Sequence, residues 1–308
     1  MKISVALEVE SDDPLIAIEF LLENIQLSKS RLKKLMNGGG VWLRRGDTPR
    51  YRLRRAMTDL KVGDVLEIFY DETLLDQPHR SSTCVADHDI YSIWNKPAGV
   101  FCNGSDWGDH NSLERQVILH FHKQRPVWLA HWLPAAGRGL ILVSHHKRAR
   151  GTLDELQKVG GIKATYRIEV EGDQRWLSED PMHPALKTAL TVSELSYVDV
   201  QVTKYNRQVG TTSIQLLVSC LDMTDIIAWC RSLDLIFAAV GENISAFDLS
   251  EDMATSGREP MNDYQRQEQD QNQEEDEHQG ELITLVPIDL IKLSFLCPFT
   301  GELRTYKV

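Results

Sequence analysis

Cysteines and long apolar runs are both scarce in this chain. The five cysteines, Cys84, Cys102, Cys220, Cys230 and Cys297, are odd in number and show no C-x-x-C spacing, which argues against a disulfide framework and a structural zinc site. We therefore expect a reducing, cytoplasmic setting. No apolar run reaches the roughly 18–20 residues that span a bilayer, so we expect no membrane partner. The first ten residues carry acids where a signal peptide would be apolar.

Charge is unevenly distributed along the 308 residues. The 34 Lys+Arg against 45 Asp+Glu give a net charge of −11, which alone would argue against a nucleic-acid partner. However, Lys29–Lys61 holds eleven basic residues and two acids, whereas Ser250–Glu281 holds eleven acids and two arginines. No acid occurs in Arg115–Leu153, where seven basic residues are found. Such asymmetry says more about partners than the net charge does.

The acidic stretch has a composition of its own. Gln265–Gly280 is mostly Gln, Glu, Asp and Asn, so it buries too little apolar surface to offset the entropy of ordering. We predict a disordered insert over about residues 250–280, followed by a strand that begins near Leu282. A basic protein partner for this insert is one hypothesis.

The basic stretch predicts helices followed by strands. Asp12, Asp13 and Pro14 predict the start of a first helix, and Ser28 is a cap for a second one that ends at Gly38–Gly40. A long, nearly acid-free basic run favours binding to RNA or DNA phosphates, the alternative being a solvated basic face. The residues predicted to contact RNA here are Lys29, Arg31, Lys33, Lys34, Arg44, Arg45, Arg52 and Arg54.

This stretch resembles the αL RNA-binding module of a small-subunit ribosomal protein and of several RNA-modifying enzymes. The similarity rests on Ser28–Leu35, the turn at Gly40-Val41, and Leu60–Ile68. Arg45-Gly46 stands where the family usually has an Asn-Gly turn. The resemblance implies an αL-type module over residues 1–75.

Beyond a predicted linker at Asp71–Ser82, further segments follow in a recognisable order. A predicted strand at Ile90–Trp94 ends in Lys96-Pro97-Ala98-Gly99, and the segment His131–Ser144 reads HWLPAAGRGLILVS. Together they resemble the first two motifs of RluA-type pseudouridine synthases, which isomerise uridine in structured RNA. Lys163–Gly172 and Leu293–Glu302 are similar to the third motif and to the closing strand and turn.

The resemblance implies the fold and several site residues. We expect an α+β protein whose second domain, residues 84–308, has a mixed, mostly antiparallel, pseudouridine-synthase-like sheet. Tyr166 falls on the tyrosine that stacks on the target base, and could equally be a strand core residue. We expect RNA contacts from His131, Trp132 and Arg138. For Trp132, a buried aromatic side chain is an equally good interpretation.

The sequence departs from this family where the chemistry takes place. The second motif normally reads H-R-L-D, but Trp132 replaces its arginine and Pro134 its catalytic aspartate. The fourth motif aligns with Leu221–Ala228, where Met223 replaces the arginine that pairs with the aspartate. Proline cannot ionise, so it cannot act as nucleophile or move a proton. Asp106 or Asp109, brought in from elsewhere in the fold, is the alternative acid.

Six of the ten histidines lie between His110 and His146. A metal site is one reading, but no acid or cysteine ligand accompanies the segment from Arg115, so we expect no metal and no other cofactor. The run His145–Arg150 is read instead as bordering an RNA-binding cleft, or as scattered surface residues.

Three hypotheses follow. The chain is a catalytically inactive or impaired family member that binds ribosomal or transfer RNA, an active synthase using a relocated acid, or a protein-interaction scaffold built on the acidic insert. The residues favour the first, because both members of the catalytic ion pair are missing together.

Overall fold

The computed structural model describes residues 1–179, 183–192, 195, 197–238 and 286–308. Two compact units emerge: the first holds residues 1–80 and 103–119, and the second holds residues 81–102 together with the described residues from 120 onward. The predicted acidic insert and the strand start at Leu282 lie outside the described residues.

The first unit is built on a four-stranded antiparallel sheet in the order β1-β4-β2-β3. Its elements are β1 (Lys2–Glu8), α1 (Ala17–Asn24), α2 (Lys29–Gly38), β2 (Val41–Arg45), β3 (Tyr51–Arg52), β4 (Asp64–Asp71), α3 (Glu72–Leu75) and most of α4 (Leu113–His120).

Local signals explain most of these elements. The Ser28 side chain accepts a hydrogen bond from the backbone N–H of Arg31, and Gly39 ends α2 in the left-handed conformation, φ +89°. The predicted start of α1 was wrong. The helix begins at Ala17, after an uncapped Ile16 that pairs with Asp59 as an isolated bridge, because that pairing holds the preceding residues extended.

The second unit is built on a nine-stranded sheet, counted over the described residues. Its main path runs β10-β11-β9-β12-β8-β6-β5, with β13 paired to β12 and β7 to β8. The elements are β5 (Thr83–Asp87), β6 (Tyr91–Lys96), β7 (Trp128–Leu129), β8 (Gly139–Ser144), α5 (Lys147–Lys158), β9 (Ile162–Glu171), α6 (Trp176–Glu179), α7 (Pro184–Val192), β10 (Val198–Asn206), β11 (Thr211–Val218), α8 (Met223–Ser232), β12 (Ile288–Leu296) and β13 (Leu303–Lys307).

The predicted fold class is confirmed. Helices and two sheets make an α+β protein, and every described strand pair is antiparallel except the short β12–β8 contact. The predicted linker at Asp71–Ser82 was wrong in its first half, because α3 buries Leu74 and Leu75 there. None of the described helices is long and apolar enough to cross a membrane.

Candidate functional site

A fully buried lysine organises the loop that carries Pro134. Lys96 lies at the end of β6, and its ammonium donates to the backbone carbonyls of Val100 and Gly137 at 2.7 Å and of Pro134 at 3.0 Å. Burial lowers the pKa of Lys96 to about 8. Lys96 of the Lys-Pro-Ala-Gly segment therefore fixes the backbone of the second predicted motif through charge-assisted hydrogen bonds.

Backbone contacts fix the rest of the loop. Gly99 N–H donates to the Ala135 carbonyl at 2.7 Å, and the buried Cys102 sulfur accepts from the Leu133 N–H at 3.2 Å. At Gly139, φ is +128°, and a Cβ would collide with the Leu290 carbonyl. Pro134 is buried inside this tightly held loop, and the position offers no proton donor or acceptor beyond its carbonyl.

The other second-motif residues differ in exposure. His131 is buried, and its Nε2 accepts a hydrogen bond from the Leu142 N–H at 3.2 Å. Burial lowers the pKa of His131 to about 4, so the ring is neutral at pH 7. Trp132 is half-buried, whereas the Arg138 side chain is 60% exposed. Of the three, Arg138 is the residue that solvent reaches most freely.

Tyr166 lies in the middle of β9, between Leu216 of β11 and Leu290 of β12. Its side chain is fully buried, and among the described residues its hydroxyl has no hydrogen-bond partner. Burial, with smaller contributions from Cys220 and Asp222, raises the pKa of Tyr166 well above its usual value. A base could stack on this ring only if the residues that cover it moved aside.

The segment aligned with the fourth motif is the start of α8. The Asp222 side chain caps this helix by accepting from the Thr224 N–H at 2.8 Å. Leu221 and Met223 are both fully buried. An apolar side chain thus fills the space at Met223, the residue that we predict to replace the arginine of the fourth motif.

An acid that sequence reasoning missed lies beside the Pro134 loop. Asp289, on β12, accepts from the Arg138 N–H at 3.2 Å, from Arg138 Nε at 3.0 Å and from Arg167 at 2.7 Å. Its side chain is 15% exposed. Arg167 and Asp289 are register partners, as are Tyr166 and Leu290. Because successive strand residues point to opposite faces, Asp289 lies on the sheet face opposite Tyr166.

Comparison with known proteins fits this geometry. Residues 90–234 match the RNA pseudouridylate synthase family. The chain carries a domain of this family. No curated protein matches the chain.

Solved structures similar to this chain carry related names. Human RNA pseudouridylate synthase domain containing 1 is 12% identical, with 75% of this chain and 85% of that one covered and a TM-score of 0.43. Human RNA pseudouridylate synthase domain containing 4 is 12% identical, with 73% and 87% covered and a TM-score of 0.40. A crystal structure of pseudouridylate synthase is 13% identical, with 73% and 86% covered and a TM-score of 0.33.

The first unit holds most of the residues that we predict to contact RNA. Acids neutralise many of these cations. Arg31 donates to Asp76 at 2.5 and 2.7 Å and to Glu72 at 3.1 Å. The hydrogen bonds of Arg31 to Asp76 and to the Tyr70 hydroxyl raise the pKa of Arg31, and Arg31 with Lys34 lowers the pKa of Asp76. Arg45 forms a bidentate pair with the buried Asp64, at 2.7 and 2.9 Å.

The arginines of the β3 region are held by the segment 103–112. Asp109 pairs with Arg54, and its Oδ2 lies 3.6 Å from Arg52 Nε. Asp106 accepts two 2.8 Å hydrogen bonds from Arg50. Asp106 and Asp109, the two alternatives to the catalytic aspartate, therefore serve as partners for arginines in the first unit.

A subset of the predicted cations is more accessible. Lys29, Lys33 and Arg44 are exposed, and in the part of the chain that the structure describes no acid lies within ion-pair distance of them. Lys34 is 51% exposed and bound to Asp76. Within the described residues, no three His, Cys, Asp or Glu side chains come together as a metal-ligand set.

Proposed function

We propose that this protein binds structured RNA, of the ribosomal or transfer class, through an RNA-binding module at residues 1–75 and a pseudouridine-synthase domain at 84–308, and that it lacks synthase activity. The observation that carries the proposal is Pro134. By its resemblance to the second motif we assign this residue, which has no ionisable group, to the aspartate position, and it lies inside a loop held by Lys96. Met223, which we align with the paired arginine, is buried and apolar, so an isolated acid restored at residue 134 would lack its partner.

Loss of catalysis does not remove the means of binding RNA. The exposed cations Lys29, Lys33 and Arg44 in the first unit and Arg138 in the second are suited to phosphate contacts. Five free cysteines are in keeping with the reducing, cytoplasmic location that we propose. A role in which RNA is bound and not modified, such as chaperoning its folding, uses these features and needs no cofactor.

Tritium release tests the catalytic half of the proposal. A transcript pool labelled at carbon 5 of uridine is incubated with purified protein, and release is compared with a blank without protein and with Pro134→Gly. We expect all three to be equal. Pro134→Asp should also stay inactive, because Met223 supplies no counter-charge. Release by the wild-type protein above both controls would refute the proposal.

A second candidate function, an active synthase with a relocated acid, is favoured by one observation. Asp289 contacts the backbone of Arg138, four residues beyond Pro134, and is paired with two arginines. If Asp289 were the acid, tritium release would be measurable in the wild type and abolished in Asp289→Asn. Its place on the face opposite Tyr166 makes this the weaker candidate.

Binding is tested separately. Titration of a hairpin-containing ribosomal RNA fragment at several salt concentrations should give a Kd that rises steeply with salt. Neutralising Lys29, Lys33 and Arg44 together should lower the salt slope by about 2 to 3, at roughly 0.9 per lost phosphate contact. An unchanged affinity and slope would refute the assignment of these residues.

A further inference from the structure

The second unit carries a basic surface made of two segments that are distant in sequence. One is the turn His120–Arg125, and the other is the start of α5 at His146–Arg148. Both lie in the acid-free interval of the sequence. His122, Lys123, His146, Lys147 and Arg148 are all exposed.

Buried contacts hold the two segments together. His145, which is 5% exposed, has its Nδ1 2.9 Å from the Pro126 carbonyl and its Nε2 2.7 Å from the Ser92 hydroxyl. Since a carbonyl can only accept, Nδ1 carries the proton and Nε2 accepts from Ser92. The Phe121 ring packs edge-on against His145, with centroids 4.7 Å apart. The turn is thereby fixed beside the start of α5.

The charges of this surface divide into compensated and uncompensated ones. Arg125 is paired with Asp87 at 2.8 Å and Asp89 at 3.0 Å, and Arg150 with Asp154 at 3.8 Å. Among the described residues, no acid lies within ion-pair distance of Lys123, Lys147 or Arg148. Three exposed cations thus remain without a counter-ion.

Two local features of this surface raise the free energy of the folded state when no ligand is bound. The first turn of α5 has no acid and three cations, Lys147, Arg148 and Arg150, although the amino end of a helix favours negative charge. His122 and Lys123 both adopt left-handed backbone angles, φ +52° and +61°, which cost free energy in residues other than glycine. An anion bound across the turn and the helix start would offset the first of these costs.

We infer that this surface, defined by Lys123, Lys147 and Arg148, is a second contact for the RNA phosphate backbone, carried by the synthase domain itself. The inference rests on the proposed RNA-binding function. Phosphodiesters fit because the surface offers two exposed ammonium groups and an exposed guanidinium. An acidic protein segment is the competing partner, and RNA binding that does not depend on these three cations would favour that partner instead.

The test compares two triple variants of the full chain that remove the same charge. Lys123→Gln/Lys147→Gln/Arg148→Gln is set against Lys187→Gln/Lys204→Gln/Lys307→Gln, whose three lysines are exposed elsewhere in the second unit. Binding to the same ribosomal RNA fragment is measured by fluorescence anisotropy between 50 and 300 mM KCl, after thermal melts have shown that both variants fold.

We expect the first triple to lower RNA affinity about tenfold or more and to reduce the salt slope by about 2 to 3, while the control changes affinity less than about twofold. Equal effects of the two triples, or an unchanged slope in the first, would overturn this surface and leave the proposed RNA binding intact. Failure of the wild-type protein to bind any RNA would overturn both.

Discussion

Asp109 should contribute more to the folding of the first unit than any acid of its surface turns. Asp109, Arg52 and Arg54 keep 12%, 11% and 22% of their side-chain exposure. Removing one partner of a fully buried pair costs about 3–5 kcal/mol. Because solvent screens this cluster in part and an asparagine can still accept a hydrogen bond, we expect Asp109→Asn to lower the free energy of unfolding by about 2 kcal/mol.

Urea denaturation and calorimetry measure this change. For a unit of this size, about 2 kcal/mol corresponds to a Tm roughly 8–16 °C lower. Asp47→Asn is the matched control, because Asp47 is exposed in the turn after β2 and its replacement removes the same charge. The control should change the free energy of unfolding by less than about 0.5 kcal/mol.

For Asp109→Asn we do not expect RNA binding to weaken together with stability. Loss of Asp109 frees Arg54, so RNA affinity should stay equal or rise, with a salt slope steeper by up to about 1. A fall in RNA affinity without any loss of stability would refute the reasoning, since it would show that Asp109 serves binding and not the packing of the segment 103–112.

Three further outcomes follow from the Pro134 loop. Lys96→Met should lower the stability of the second unit by about 2–4 kcal/mol in urea denaturation, because buried carbonyls lose their donor; unchanged stability would contradict the role given to the ammonium. The His131 pKa of about 4, below its unfolded value, means that the wild type loses stability as pH falls from about 6.5 to 4. His131→Gln should flatten that pH profile, and an unaltered profile would count against a buried neutral ring. Gly139→Ala should prevent stable folding, judged by circular dichroism, because of its φ and the Leu290 carbonyl; a native-like spectrum would show that the loop can shift.

What could be predicted from the sequence was mostly local. The Ser28 cap and the left-handed Gly39 end of α2 are encoded within one or two turns of the helix. The strand before Lys96 was predicted because an apolar run ends in a Pro/Gly turn. Each of these signals acts between residues that are close in the chain, so composition and spacing alone reveal them.

The electrostatic partners were out of reach for the same reason. The sequence shows that Arg52, Arg54 and Asp109 are charged, but nothing in it says that a segment some fifty residues later docks on these arginines. Asp289 lies still farther along the sequence from the Pro134 loop that it contacts, on β12, a strand that pairs with β9. The burial of Tyr166 likewise depends on which strands flank β9, which a single sequence does not specify.

The position of β12 has a consequence for biosynthesis. In the order β10-β11-β9-β12-β8-β6-β5, this one strand separates β9 from β8. Translation finishes β9 at Glu171, yet β12 begins only at Ile288. While the ribosome makes the intervening chain, the nascent sheet exists as two halves with open inner edges, which are prone to wrong pairing. Closure of the sheet is therefore a late event that waits for β12 to leave the exit tunnel.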